Sequence, residues 1–126
     1  MTPIKECLIN KSTKINPIWL MRQAGRYLPE FREIRKQNAN FIKLCLNPTL
    51  SEDITLQPIK RFGFDAAIIF SDILMVPYGM GQSVDFKKNF GPNLGNLELN
   101  NLQKVNEIDF TKNLSPVYKL LSNLTN

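Results

Sequence analysis

Two short apolar runs, Pro17-Ile18-Trp19-Leu20-Met21 and Phe64-Asp65-Ala66-Ala67-Ile68-Ile69-Phe70, constrain this chain more than any other feature. Neither alternates apolar and polar residues, as a strand with one wet face would, and both are short for a buried helix. They suit strands of a parallel sheet covered on both faces. Each stops abruptly, the first at Arg22 and the second at Ser71-Asp72. Parallel strands need crossovers, and helix signals lie between the two runs. Pro29 and Glu30 predict a helix to about Gln37, and a short helix is expected around Phe41 to Leu46. Asn47-Pro48 is a strong helix start, an Asn cap followed by Pro at the first position. That helix is expected over Asn47 to Phe62, with Gly63 as its terminator and a kink or earlier end at Pro58.

Beyond the second run, Ile73 to Met80 predicts a short helix or turn, and Val84 to Gly95 a small hairpin excursion. A final helix is expected from about Asn113 to Leu124, with Pro116 in its first turn. The order strand, helices, strand, excursion, helix fits an α/β chain with right-handed crossovers. Since ~200 residues is the usual lower bound for a (β/α)8 TIM barrel, the 126 residues supply about two of its units. The expectation is an incomplete barrel, with residues 1–126 as the amino-terminal part of a single barrel domain. Two strands alone leave unpaired edges, so marginal stability is expected of the isolated chain.

Charge narrows the function classes. Sixteen Lys and Arg against eleven Asp and Glu give +5, with no histidine to adjust it. Arg22, Arg26, Arg32, Arg35 and Lys36 face only Glu30 and Glu33 in one stretch, a local field that draws anions. Cys7 and Cys45 lie far apart without histidine, which argues against a zinc site and for two free thiols. No segment approaches the ~20 apolar residues of a membrane span, and the amino terminus lacks a signal-peptide core. No membrane association is expected, and the chain reads as cytoplasmic.

Ligands in parallel α/β folds bind at the carboxyl ends of strands. Arg22 follows the first run and Asp72 the second, so Arg22, Arg26 and Asp72 are expected to face one pocket. An arginine fork grips a carboxylate through two hydrogen bonds, and Gly25 between the arginines lets backbone approach a ligand. The competing reading pairs these arginines with Glu30 or Glu33 at the surface. For Asp72 it is a helix cap or an arginine partner, against a carboxylate that accepts substrate N–H groups and stabilises positive charge. Tyr27, Phe31 and Phe70 are candidate pocket walls.

Trp19-Leu20-Met21-Arg22-Gln23-Ala24-Gly25-Arg26-Tyr27-Leu28-Pro29-Glu30-Phe31-Arg32 resembles the amino-terminal signature of the uroporphyrinogen decarboxylase family. Phe64 to Leu74 resembles that family's second signature, and Leu56-Gln57-Pro58-Ile59 and Gly91-Pro92 look like family positions. The resemblance covers nearly the whole chain and about the first third of a family member. It implies a (β/α)8 barrel in a homodimer, acting in haem and tetrapyrrole biosynthesis. The implied reaction removes carbon dioxide from the four acetate side chains of uroporphyrinogen III, giving coproporphyrinogen III. It implies no metal and no organic cofactor, a protonated pyrrole ring serving as electron sink.

By position, the resemblance makes Asp72 the aspartate that binds the macrocycle's central N–H groups and stabilises the cationic intermediate. It makes Arg22 and Arg26 the arginines that hold acetate and propionate carboxylates, places Gln23, Ala24 and Gly25 along the substrate's edge, and makes Arg35 a further substrate-proximal arginine. The family's later tyrosine, serine and histidine have no counterpart here. The chain therefore reads as an amino-terminal fragment, either a non-catalytic remnant or half of a split enzyme with a complementary carboxy-terminal polypeptide. A corrinoid-linked methyltransferase is disfavoured by the absent zinc ligands and the Arg22–Arg26 segment. A basic nucleic-acid-binding module is disfavoured because its arginines interleave with a buried-strand pattern; no nucleic-acid partner is expected.

Overall fold

The structure, a computed structural model, describes residues 2–12, 14–87, 90–96 and 98–125. Helix α1 (Pro3–Asn10), which no sequence signal singled out, ends at Lys11 in the left-handed region at φ 54°. Helix α2 (Pro29–Gln37) begins on its proline, as the pattern requires. The short α3 (Phe41–Cys45) is capped by Asn40, whose side chain accepts from the Lys43 amide at 2.9 Å. Helix α4 (Pro48–Phe62) is capped by Asn47, which accepts from the Leu50 amide at 3.1 Å, and closes on Gly63 at φ 68°. Pro58 lies inside α4 and does not end it. It lacks the amide proton for one rung of the ladder, but its ring is fully buried and the packing there carries the helix on to Phe62.

Helix α5 (Met75–Gly79) follows, then strands β1 (Val84–Lys87) and β2 (Gly91–Leu94), an antiparallel hairpin with Val84 opposite Leu94 and Lys87 opposite Gly91. Three helices complete the chain: α6 (Leu99–Leu102), α7 (Glu107–Asn113) capped by Asn106, and α8 (Ser115–Thr125) with Pro116 in its first turn. The architecture is thus mixed, mostly helical, with one two-stranded sheet among the described residues.

The two apolar runs correct the sequence-based expectation. Neither Pro17–Met21 nor Phe64–Phe70 forms a hydrogen-bonded strand, and neither is covered on both faces. Ile18 is 58% exposed, Trp19 45% and Met21 75%. The segments do lie side by side, joined by the Asp65 amide donating to the Ile18 carbonyl at 3.0 Å. The Ile18 amide, in turn, donates to the Asp65 carboxylate at 2.8 Å instead of a neighbouring carbonyl. A side-chain acceptor has replaced the next rung. Without further neighbours to pair with, the runs meet without building a ladder.

Packing is carried by the helices. One cluster joins Leu28, Phe31, Leu44 and Ile54; a second joins Ile42, Cys45, Met75 and Leu114. Phe70 touches both. The residue two positions before Asp72 is therefore wedged where α2, α3, α4 and α5 meet, and this fixes the course of the chain into Asp72.

Candidate functional site

An open cleft of about 360 Å³ is lined by Ala24, Gly25, Arg26, Arg35 and Asp72 together with Phe31, Phe41, Phe70 and Phe86. Residues from the loop after the first apolar run, from α2, and from the end of the second run thus converge on one space. Its walls are aromatic. Phe70 makes edge contacts with Phe31 at 5.7 Å and Phe41 at 5.9 Å between centroids, and Phe41 reaches Phe86 of the hairpin at 5.0 Å. Phe31 and Phe70 were anticipated as pocket walls. Tyr27 is not one: it is exposed, and its hydroxyl donates to the Gln23 carbonyl.

Arg35 is held in a fixed pose. One guanidinium nitrogen donates to the Asn38 carbonyl at 2.6 Å and the Ala39 carbonyl at 3.1 Å, and its charge sits 5.4 Å above the Phe41 ring. Carbonyls on one edge and a ring beneath orient the fork without neutralising it. Arg26 is exposed at the cleft wall. The two carboxylates that were its alternative partners are engaged elsewhere. Glu30 pairs with Arg61 of α4 at 2.5 Å, and Glu33 accepts from Gln37 at 2.9 Å. A bond from its own backbone amide, then Arg61, holds the Glu30 carboxyl below the usual range. Among the described residues no ion pair neutralises Arg22, Arg26 or Arg35.

Asp72 is half-buried, and its Oδ1 accepts from the Leu74 amide at 2.9 Å, capping the turn that leads into α5. The capping reading of this aspartate therefore holds for one oxygen. Its charge is felt nearby: burial pushes the Cys45 thiol up to about 12, with Asp72 adding to the rise and Arg35 opposing it. Both cysteines are free thiols.

The remaining site residues stand apart. Gln23 is buried and turned away from the cleft, its side-chain amide donating to the Ala66 carbonyl at 2.9 Å while its Oε1 has no partner among the described residues. Arg22 beside it is exposed and does not line the cleft. Phe41 and Phe86 were not singled out from the sequence. Phe41 carried a signal only as an apolar residue in a short helix, and Phe86 reaches the cleft through hairpin geometry that no local pattern reveals. Among the described residues, no helix is long and apolar enough to cross a membrane.

With this geometry in place, the comparisons with known proteins fall into line. The family model described as uroporphyrinogen decarboxylase (URO-D) matches residues 2–126. A uroporphyrinogen decarboxylase of Agrobacterium fabrum is 48% identical over 117 residues, 93% of this chain and 34% of the relative. One of a Chelativorans species is 46% identical over 119 residues, 94% and 35% respectively. One of Mesorhizobium japonicum is 48% identical over 108 residues, 86% and 32%. The chain thus spans about a third of the length of these curated relatives. A match of this extent, at such identity, leaves one assignment: the chain belongs to the uroporphyrinogen decarboxylase family.

Proposed function

We propose that this chain forms the carboxylate-binding rim of a uroporphyrinogen III decarboxylase, a carboxy-lyase of haem and tetrapyrrole biosynthesis. The observation that carries the proposal is the convergence of Arg26, Arg35 and Asp72 on one aromatic-walled cleft. A porphyrinogen bearing acetate and propionate groups has an apolar body of four pyrrole rings hinged at methylene bridges, an anionic rim and four N–H donors at its centre. The cleft offers the complement: rings for the body, guanidinium groups for the rim and a carboxylate for the N–H groups.

The reaction supplies its own electron sink. Protonation of a pyrrole ring makes it cationic, and breaking the bond to the acetate carboxylate releases CO2 and returns the bond's electrons to that ring. A proton then adds to the side-chain carbon to give the methyl group, and the proton first added to the ring departs. No metal or organic cofactor takes part in this scheme. Asp72 stabilises the cation electrostatically in a site shielded by rings, where a fixed charge acts more strongly than in water. Arg26 and Arg35 hold carboxylates, with Arg22 joining from the exposed side of the loop, and Ala24 and Gly25 border the macrocycle. Gln23 supports the edge from beneath.

The wider protein is proposed as a (β/α)8 barrel acting as a homodimer, of which residues 1–126 make the first two units and the hairpin. The exposed faces of Ile18, Trp19 and Met21 suit coverage by the strands and helices that complete such a barrel. Sequence equivalent to the remaining two-thirds of the relatives, on the same or a complementary polypeptide, supplies those elements and the remaining catalytic groups. The test is to mix this chain with the remaining two-thirds of the Agrobacterium fabrum relative and assay coproporphyrinogen formation. Product that requires both polypeptides supports the reading. No product from the mixture, beside a fully active intact relative, contradicts it.

A further inference from the structure

The course of the chain into Asp72 depends on a hydroxyl outside the cleft. Thr55 lies within α4 and is 1% exposed. A threonine hydroxyl has a single proton, and here it goes to the Ser51 carbonyl at 2.6 Å, one turn back along the helix. Its oxygen lone pair therefore faces the Phe70 amide, which donates to it at 2.8 Å. The Phe70 amide belongs to a run whose ladder bonds are nearly absent, so this hydroxyl does for it what a neighbouring strand would do.

The anchor sits close to the cleft. At the far end, residue 65 is tied to the first run through Ile18, and residue 66 to the arginine loop through Gln23. At the near end Thr55 ties Phe70, two residues before Asp72. Past Asp72 the chain is fixed again, its Oδ1 accepting from Leu74 and its carbonyl from Met75 at 3.0 Å. Asp72 is thus held between Phe70, fixed by its side-chain packing and by its amide's bond to α4, and one local turn. We infer that Thr55 is a positioning residue for Asp72, its hydroxyl fixing the Phe70 amide and so setting where the carboxylate enters the cleft. The inference rests on the reading of Asp72 as the substrate-facing carboxylate.

Two near-isosteric variants separate the hydroxyl from the packing. Thr55→Val keeps the shape and loses the acceptor; Thr55→Ser keeps the acceptor and loses a methyl group. The readouts are hydrogen exchange at the Phe70 amide and the carbon-13 shift of the Asp72 carboxyl in the 126-residue chain. Thr55→Val is expected to speed Phe70 exchange by about tenfold or more and to move the Asp72 carboxyl signal. Thr55→Ser is expected to restore both. An Asp72 signal unmoved in Thr55→Val, or identical behaviour of the two variants (a common loss of the folded spectrum included), overturns the inference. Asp72→Asn, measured for uroporphyrin affinity, tests the reading beneath it. Unchanged affinity there removes the functional role of Asp72, whereas an unmoved Asp72 signal in Thr55→Val removes the positioning alone.

Discussion

The Gln23 side-chain amide donates to the Ala66 carbonyl at 2.9 Å, joining the arginine loop to the segment that leads to Asp72. Two stretches of chain more than forty residues apart are held in register by this bond and the two at Ile18 and Asp65. Gln23 is 3% exposed, so its removal leaves the Ala66 carbonyl without its partner. We expect Gln23→Ala to lower stability by about 1–3 kcal/mol in urea unfolding. A change under ~0.5 kcal/mol, the range of ordinary surface substitutions, would show the bond to be incidental.

Cys45 reports on both the core and the cleft. Its thiol is raised to about 12, first by burial and then by the Asp72 charge. A thiol whose folded pKa exceeds its unfolded value binds its proton more tightly in the folded state. The stabilisation is complete below the unfolded pKa near 9 and is lost as pH rises toward 12. Stability should therefore fall between those values more steeply for the natural chain than for Cys45→Ala. Parallel pH profiles of the two would contradict the burial of this thiol. In the native chain at pH 8, Cys45 should resist thiol reagents until unfolding.

Gly79 is a point of close approach between α5 and α7. A Cβ at this position would lie 2.8 Å from the Phe110 ring and 2.9 Å from Leu114. Gly79→Ala is expected to cost about 1–3 kcal/mol by overpacking, visible as a lowered melting temperature. The same change at Gly25, where the nearest atoms are those of the Tyr27 ring at 3.7 Å, should be tolerated for folding.

Local chemistry made the helices legible. Asn40 and Asn47 cap the helices they precede, Pro29 and Pro48 open them, and Gly63 closes α4. These features act within one turn of chain and need no partner. The hairpin was expected from the Gly-, Asn- and Pro-rich residues up to Gly95, but Gly91, Pro92 and Asn93 lie in β2 and pair with β1 instead of forming a turn. The fate of the expected parallel strands was not legible. Apolar runs such as Ile18–Met21 and Ile68–Phe70 state a demand for neighbours, and whether neighbours exist is not a local property. Helices α1, α6 and α7 carried weak patterns, each with few buried side chains to mark a face. In the site, Asp72 was legible because it follows an apolar run; the same rule pointed to Arg22, which does not line the cleft, while Arg26 four residues on does. The inward turn of Gln23 and the reach of Phe86 depend on tertiary contacts alone.

The central claim is that Arg26, Arg35 and Asp72 together accept a polycarboxylate tetrapyrrole. It is tested most directly by the affinity of the chain for uroporphyrin III against coproporphyrin III, for the natural sequence, Arg26→Gln, Arg35→Gln and Arg61→Gln. Each cleft arginine should contribute a charged hydrogen bond, so both cleft variants should bind uroporphyrin about tenfold more weakly or worse. Arg61, engaged with Glu30 away from the cleft, should be neutral. Tighter binding of the octacarboxylate, lost selectively in the two cleft variants, is the predicted result. Equal loss in Arg61→Gln, or no preference between the two porphyrins, would contradict it.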